Sequence, residues 1–265
     1  MRTSGVPVVV RNWAKAVRAR ARMIMLASPR RVECTACQWR GRRFLDDDWH
    51  RNVCCPKCGS SVRHRLLLAA HKHLKGIGFD EVYGGRRVLH VAPEPIVGRW
   101  IRTVAAKYVR ADYLHDGVDV RLDITDMREL SDGSYDVLVA CDVLEHVADF
   151  RLALDEIHRV LSRGGVAVLT VPQEDGLAIT REDPSLTSED QRREAFGQHD
   201  HVRMFGDDFV FELEHHGFKV VTVDAESFPA DLVARYRLEP ERSKHPLATN
   251  HRRVFLCERL DVELL

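Results

Sequence analysis

The chain has 265 residues, of which 45% are hydrophobic and 30% are charged, so it is long enough to bury a full core and long for a single domain. Its 40 basic and 40 acidic side chains leave no net charge. No apolar run approaches the roughly 20 residues that cross a bilayer, which excludes a membrane span.

The charge is unevenly distributed along the chain. Residues 1–80 carry 17 Lys and Arg against 5 acids, and the remaining residues carry 23 against 35. A basic segment is typical of contact with nucleic acid, with an anionic membrane surface or with an acidic part of the same protein. All three alternatives stay open at this stage.

Residues 1–30 form the first predicted unit, a basic helical arm. They hold seven basic residues and no acid, with Trp13, Val17, Ile24 and Leu26 spaced along a helix. The pattern favours an amphipathic arm packed on its own domain over an organelle transit peptide, which has a similar composition.

Five of the seven cysteines fall between positions 34 and 58, in "CTAC" and "CCPKCGS". Cys34 and Cys37 form one C-x2-C hook, and Cys55 and Cys58 form a second. Two such hooks at this separation can aim four thiolates at one tetrahedral zinc ion. Cys54 adjoins Cys55 and is the alternative fourth ligand, but only Cys55 completes a C-x2-C spacing.

Four thiolates leave zinc no open position, so a structural zinc ion is predicted. The sequence shows no secretory signal, and a cytoplasmic, reducing location disfavours disulfides between these cysteines. The segment that carries the two hooks, which we call the ribbon, and the helix that follows it make up a second unit, residues 31–80. The basic side chains of that helix, "SSVRHRLLLAAHKHLK", include His64, Arg65 and His71 and are expected to be solvated.

From residue 86 onward, short apolar runs alternate with helical patterns, as in "RRVLHVA" followed by "IVGRWIRTVAAKY". This alternation predicts an α/β fold with a doubly wound, mostly parallel sheet. Ligands bind such sheets beyond the carboxyl ends of the strands. Asp112 ends the second predicted strand, Asp123 and Ile124 lie on a loop, and the stretch "CDVLEHV" follows the fourth predicted strand.

The stretch "YDVLVACDVLEHVADFRLALDEIHRVLSRGGVAVLTVP" resembles the fourth and fifth strand region of class I S-adenosylmethionine-dependent methyltransferases. Together, "CPKCGSSVRHRLL", "VLHVAPEP" and "FGQHDHVRMFG" resemble a subfamily of these enzymes with an N-terminal zinc ribbon. The resemblance implies a seven-stranded Rossmann-like domain over residues 81–265 and S-adenosylmethionine as cofactor.

The cofactor loop departs from the pattern of that family. His90 stands where the family has an acid, and Ala92, Pro93 and Glu94 replace its glycines. Glu94 is expected to meet the cofactor's amino group, Asp112 the ribose, and Asp123 with Ile124 the adenine. The predicted cofactor-binding set is His90, Pro93, Glu94, Asp112, Tyr113, Asp123, Ile124, Cys141 and Asp142.

Residues 173–206 form a long, polar insert of the kind that serves as a lid or binding loop. His201 and His199 in this insert are predicted general bases, Asp200 an orienting acid and Arg203 an anion clamp. His146 in "LEHV" is a further base candidate. Packing or helix capping is the alternative role for these side chains.

Methylation of a small-molecule, sugar or peptide natural product at oxygen or nitrogen is the predicted function. The insert holds more acidic than basic side chains, which disfavours a polyphosphate acceptor. Two alternatives are an RNA methyltransferase that grips nucleic acid with its ribbon and a non-catalytic binding module with a degenerate cofactor site. The oligomeric state is left open.

Overall fold

A computed structural model describes residues 31–245 and 247–261. The predicted arm at residues 1–30 lies outside the described residues. None of the helices in the described part of the chain combines the length and the apolar character that a bilayer crossing requires.

The described chain begins with a small two-stranded sheet and two helices. These elements are β1 (Val32–Glu33), β2 (Arg40–Gly41), α1 (Val62–His73) and α2 (Phe79–Tyr83). The ribbon has its own small core, in which Val32, Trp39 and Phe44 pack with Leu68 of α1. The ribbon and α1 therefore form one packed unit.

A larger α/β unit follows. Its elements as far as the insert are β3 (Arg87–Val91), α3 (Pro95–Val104), β4 (Lys107–Asp112), β5 (Val120–Arg121), β6 (Tyr135–Cys141), α4 (Phe150–Val160) and β7 (Leu161–Thr170). The remaining elements are β8 (Arg181–Glu182), α5 (Glu189–Phe196), β9 (Arg203–Met204), α6 (Phe209–His215), β10 (Phe218–Val223), α7 (Ala230–Tyr236) and β11 (Val254–Arg259).

Within residues 31–261, apart from 246, seven strands join in the order β10-β11-β7-β6-β3-β4-β5. The neighbours from β5 to β7 are parallel, and β11 runs antiparallel to both β7 and β10. The predicted doubly wound, mostly parallel sheet is confirmed. The chain leaves β3 toward β4 on one side and reaches β6 on the other, so the switch point lies between β3 and β6.

Both faces of this sheet are covered. Leu138 and Ala140 of β6 belong to one buried cluster with Phe150 and Phe209 of α4 and α6. Val139, one position away, belongs to a second cluster that includes residues of α1, α3 and α7. Alternate side chains of a strand point to opposite faces, so helices cover the central strands on both sides.

The helix α4 illustrates how sequence sets these elements. Asp149 caps its first turn by accepting hydrogen bonds from the backbone N–H groups of Arg151 and Leu152. Its buried residues recur at helical spacing, namely Phe150, Ala153, Leu154, Ile157 and Val160. This apolar stripe faces the sheet, as the 3.6-residue period dictates.

Candidate functional site

The four cysteines of the two C-x2-C hooks converge on one point. The sulfur atoms of Cys34, Cys37, Cys55 and Cys58 all lie within 4.8 Å of one another. Cys34 Sγ is 3.7 Å from Cys58 Sγ, and Cys37 Sγ is 3.6 Å from Cys55 Sγ. Such a group fits a tetrahedral metal ion with thiolate ligands.

The two hooks have the same backbone construction. The N–H of Gln38 donates to the carbonyl of Cys34, and the N–H of Gly59 donates to the carbonyl of Cys55, both at 2.8 Å. Gln38 and Gly59 both have positive φ, 58° and 74°, which turns each hook back on itself. Cys54 lies outside the sulfur cluster, so the geometry favours Cys55 as the fourth ligand.

Arg65 ties the ribbon to the α/β unit. Its guanidinium is completely buried and donates to the carbonyls of Val53 and Ser60 in the ribbon, at 2.6 and 2.9 Å. The same group donates to the carbonyls of Tyr236 and Arg237 at the end of α7. The predicted solvated face of α1 is therefore wrong for Arg65, and likewise for the buried His64 and His71. Sequence spacing showed a basic face, but α7 covers Arg65, Glu94 pairs with His64, and α2 packs against His71.

A cavity of about 810 Å³, which we call the strand-end cavity, opens at the carboxyl ends of β3, β4 and β6. Five of the predicted cofactor-binding residues line it: Asp112, Tyr113, Asp123, Ile124 and Asp142. Asp112 is largely buried, and its Oδ1 accepts hydrogen bonds from the N–H groups of Leu114 and His115.

The loop after β3 makes its turn without the glycines that the resembled family has there, and one of its residues adopts a strained backbone conformation. Ala92, which lines the strand-end cavity, has φ of +45°, a left-handed conformation that usually favours glycine. Its N–H is held by the carbonyl of Ala111 at 2.9 Å. The chain therefore makes a glycine-like turn with an alanine.

His90 supports this loop from beneath. It is completely buried, and burial lowers its pKa to about 4. Its Nδ1 lies 2.9 Å from the Tyr108 hydroxyl, and its Nε2 accepts a hydrogen bond from the N–H of Glu94. His90 does not line the strand-end cavity, so the structure does not bring it there as the sequence predicts. Cys141 does not line this cavity either and packs in the buried core on one face of the sheet.

Glu94 is held by the helix that leaves the ribbon. Its Oε1 is 2.5 Å from Arg63 Nη2 and 2.7 Å from His64 Nε2, while its Oε2 has no hydrogen-bond partner in the part of the chain that the structure describes. Burial raises the pKa of Glu94, but the hydrogen bond from His64 and the charge of Arg63 outweigh it and lower that pKa. Pro93 and Glu94 line a groove beside the strand-end cavity.

Arg63 also reaches Asp142, with its Nε 3.2 Å from Asp142 Oδ2. Asp142 follows β6 directly and has φ of +51°, and its Oδ1 accepts a hydrogen bond from Thr170 Oγ1 at 2.7 Å. The two strained residues Ala92 and Asp142 thus stand on either side of the switch point, where strain marks functional sites.

A second cavity of about 490 Å³, which we call the ribbon-side cavity, adjoins the first. Its walls come from the ribbon loop 47–50, from the insert at 196–204 and from the C-terminal segment at 247–252. Asp142 and His146 line both cavities. The two spaces therefore meet at the end of β6.

Comparison with known sequence families gives one match over this region. Residues 87–169, from β3 to the penultimate residue of β7, match the family described as "Methyltransferase domain". The chain therefore carries a methyltransferase domain at these residues. No curated protein matches the sequence.

Solved structures similar to this methyltransferase chain are distant from it. The 1,6-didemethyltoxoflavin N1-methyltransferase of Burkholderia thailandensis, with 1,6-didemethyltoxoflavin and S-adenosylhomocysteine bound, is 14% identical. The match covers 76% of this chain and 79% of that chain, with a TM-score of 0.47. The YcgJ protein of Bacillus subtilis is 15% identical over 75% and 99% of the two chains, with a TM-score of 0.47. An S-adenosylmethionine-dependent methyltransferase of Mesorhizobium loti is 17% identical over 67% and 93%, with a TM-score of 0.44.

The predicted bases of the methyltransferase divide into two groups. His201 and His146 line the ribbon-side cavity, and their rings make an edge-to-face contact at 4.8 Å. Burial lowers the pKa of His201 to about 4, so this ring is neutral near pH 7. His199 is exposed and lines a neighbouring groove instead.

Arg203 holds the insert to the rest of the α/β unit and is not available to bind an anion. Arg203 is 2% exposed and donates to the carbonyls of Leu144 and Ala148, at 2.6 and 2.9 Å. It also contacts Glu182 in β8. The anion clamp expected from the sequence is therefore wrong, because backbone oxygens and an ion pair already occupy this guanidinium.

Sequence reasoning missed two side chains of the ribbon-side cavity. His50 is buried, lies with Nδ1 3.6 Å from Asp47 Oδ1, and its Nε2 has no partner among the described residues. Glu145 is 1% exposed, and burial raises its pKa well above the usual range. His50 reaches the site only because the ribbon packs there. Glu145 stood in the quoted "CDVLEHV" motif, where spacing alone did not single it out.

Proposed function

We propose that this methyltransferase transfers a methyl group to an oxygen or nitrogen of a small-molecule, sugar or peptide acceptor. The observation that carries the proposal is the pair of adjoining cavities that share Asp142 and His146. The cofactor would occupy the strand-end cavity, with Asp112 at the ribose and Asp123 with Ile124 at the adenine. The acceptor would occupy the ribbon-side cavity.

The transfer itself needs few chemical groups. A lone pair of the acceptor attacks the sulfonium methyl carbon, the carbon–sulfur bond breaks, and S-adenosylhomocysteine leaves. The protein has to hold the two reacting atoms about 3–3.5 Å apart and in line. An acceptor hydroxyl or amine also loses a proton, for which the cavity offers His50, His146 and His201.

The charge of the site supports an acceptor without phosphates. Four carboxyl side chains line the ribbon-side cavity against the two arginines Arg63 and Arg252. Several basic side chains of the ribbon are already committed to internal contacts: Arg40 to Glu33, Arg43 to Asp46, Arg63 to Glu94 and Arg65 to carbonyl oxygens. A polyphosphate acceptor would meet repulsion at this cavity.

The four-cysteine cluster supports structural zinc in the ribbon. In this proposal Cys34, Cys37, Cys55 and Cys58 hold the ion, which would keep α1 and the ribbon loop in place. Zinc would take no part in the chemistry, because four thiolates leave it no open position.

Incubation with methyl-labelled S-adenosylmethionine tests the proposed acceptor class. Total RNA, protein and small-molecule extract would be offered as separate pools. Label in the small-molecule pool or in small peptides is expected. Label in RNA alone would reject the acceptor class and leave an RNA methyltransferase. No label in any pool, together with no binding of S-adenosylhomocysteine, would favour a binding module.

A further inference from the structure

Three side chains with metal-binding atoms meet at the wall of the ribbon-side cavity. Ligand atoms of Glu145, His146 and His201 all lie within 4.8 Å of one another, and His146 Nε2 is 3.9 Å from Glu145 Oε1. Atoms that share one ion at about 2.1 Å each lie roughly 3–4 Å apart. Small side-chain rotations would therefore bring all three onto a common ion.

The two imidazoles are already oriented by their other nitrogen. His201 Nδ1 lies 3.2 Å from the carbonyl of Phe196, and His146 Nδ1 lies 3.3 Å from Asp200 Oδ2. Histidines that bind metals usually donate one N–H to a carbonyl or carboxylate in this way, which directs the other nitrogen to the ion. Here that arrangement leaves both Nε2 atoms for a ligand.

Glu145 has a buried carboxylate oxygen without a hydrogen-bond partner among the described residues, which is a separate indication of a ligand. Its side chain is 2% exposed, and its Oε2 has no hydrogen-bond partner within the described ranges 31–245 and 247–261. A buried carboxylate without a partner is costly, so such groups are protonated, paired or bound to a metal.

The charges of the cavity also leave room for a cation. Asp47, Asp48, Asp142 and Glu145 line it, and Arg63 and Arg252 are the basic residues that face them. Arg63 is already paired with Glu94 as well as with Asp142. If all four carboxyls are ionised, the two arginines neutralise two of them and two negative charges remain. One divalent cation would balance these two charges.

We propose that Glu145, His146 and His201 bind one divalent transition-metal ion, separate from the zinc of the four cysteines. Two imidazoles and one carboxylate suit ions such as Zn²⁺, and three protein ligands leave positions open toward the cavity. If the proposed function holds, on which this role rests, an ion held by these three side chains would supply Lewis-acid chemistry that makes the proton of the acceptor oxygen or nitrogen easier to lose. His50 would then be the remaining histidine of the cavity wall to take this proton, because His146 and His201 would be ligands.

Metal analysis with Zn²⁺ alone tests the site. The full chain is dialysed against Zn²⁺, desalted, and its zinc content measured. We expect about two zinc ions per chain for the wild type and about one for His201→Ala and for Glu145→Gln. His215→Ala, which removes an exposed histidine of α6, should keep about two. Calorimetry with S-adenosylhomocysteine identifies variants that have lost their fold.

Cobalt distinguishes the two sites. With Co²⁺ in place of zinc, the thiolate-to-cobalt absorption should persist in His201→Ala while the second equivalent of metal is lost. About one zinc per chain in the wild type, or about two in both variants, would overturn the proposal and leave His201 as a base. A bound second metal without methyl transfer to any pool would reject the proposed function but not the metal site.

Discussion

A single alanine in a left-handed conformation shapes the loop after β3. Ala92 has φ of +45°, which disfavours a residue with a Cβ by about 1 kcal/mol or more. We expect Ala92→Gly to raise the free energy of unfolding by about 1 kcal/mol, because glycine adopts this conformation without strain. Urea denaturation measures the change. Ala140→Gly, inside β6, should instead destabilise the fold, and a matching loss in Ala92→Gly would contradict the assignment of strain.

Substitution of Asp112 tests whether the strand-end cavity binds the cofactor. One of its carboxylate oxygens holds the turn at Leu114 and His115, and in the proposed site the other would accept a hydrogen bond from a ribose hydroxyl. Loss of a hydrogen bond to a charged group costs about 1.5–3 kcal/mol, so Asp112→Ala should weaken binding of S-adenosylhomocysteine ten- to hundredfold. Calorimetry measures this affinity. Asp116→Ala, outside the cavity, is the control, and an equal effect of both variants would mean that only the loop matters.

At the scale of elements, α1 joins the ribbon to the cofactor loop. Arg63 near its start contacts both Glu94 and Asp142, which follow β3 and β6. Arg63→Ala would leave these two carboxylates facing each other, at a cost on the order of 2 kcal/mol. We expect lower affinity for S-adenosylhomocysteine and a lower unfolding temperature.

Lys72→Ala is the matched control for this helix, since Lys72 lies on its exposed side. Its affinity and its unfolding temperature should match those of the wild type. Unchanged cofactor affinity in Arg63→Ala would show that Arg63 only stabilises the contact between the ribbon and the sheet.

The sequence could predict those residues of the candidate site that lie at the carboxyl ends of the strands. Asp112 ends a strand, Asp123 and Asp142 come just after strands, and parallel strands bring their carboxyl ends to one edge. The four-cysteine cluster could also be predicted from the sequence, because C-x2-C fixes the distance between the two sulfur atoms of each hook. Spacing could not predict that His50 and His146 line the same cavity, since nothing periodic relates residues so far apart in the chain. Their placement in one cavity depends on how the ribbon packs against the sheet.

For the whole molecule, the ribbon is expected to fold only with its metal. Its core is small, and metal binding to such a unit contributes directly to its folding free energy. A chelator strong enough to remove zinc should therefore lower the unfolding temperature by several degrees and weaken cofactor binding, since α1 loses its support. Thermal unfolding and calorimetry follow both effects, and added Zn²⁺ should restore them. The same chelator saturated with zinc is the control.

An unchanged cofactor affinity after complete removal of zinc would separate the ribbon from the cofactor site. Arg65 makes that outcome unexpected, because its buried guanidinium holds carbonyls of the ribbon and of α7 at once.

The walls of the two cavities have different origins in the chain. The strand-end cavity is walled mainly by residues just beyond the strands of the sheet, whereas the ribbon-side cavity is walled mainly by the ribbon loop 47–50, the insert at 196–204 and the segment at 247–252. If the proposed function holds, a change in these three outer segments should alter the acceptor and leave the residues that would bind the cofactor in place. Chimaeras that exchange the outer segments between enzymes of this design should inherit the acceptor preference of the donor and the cofactor affinity of the host.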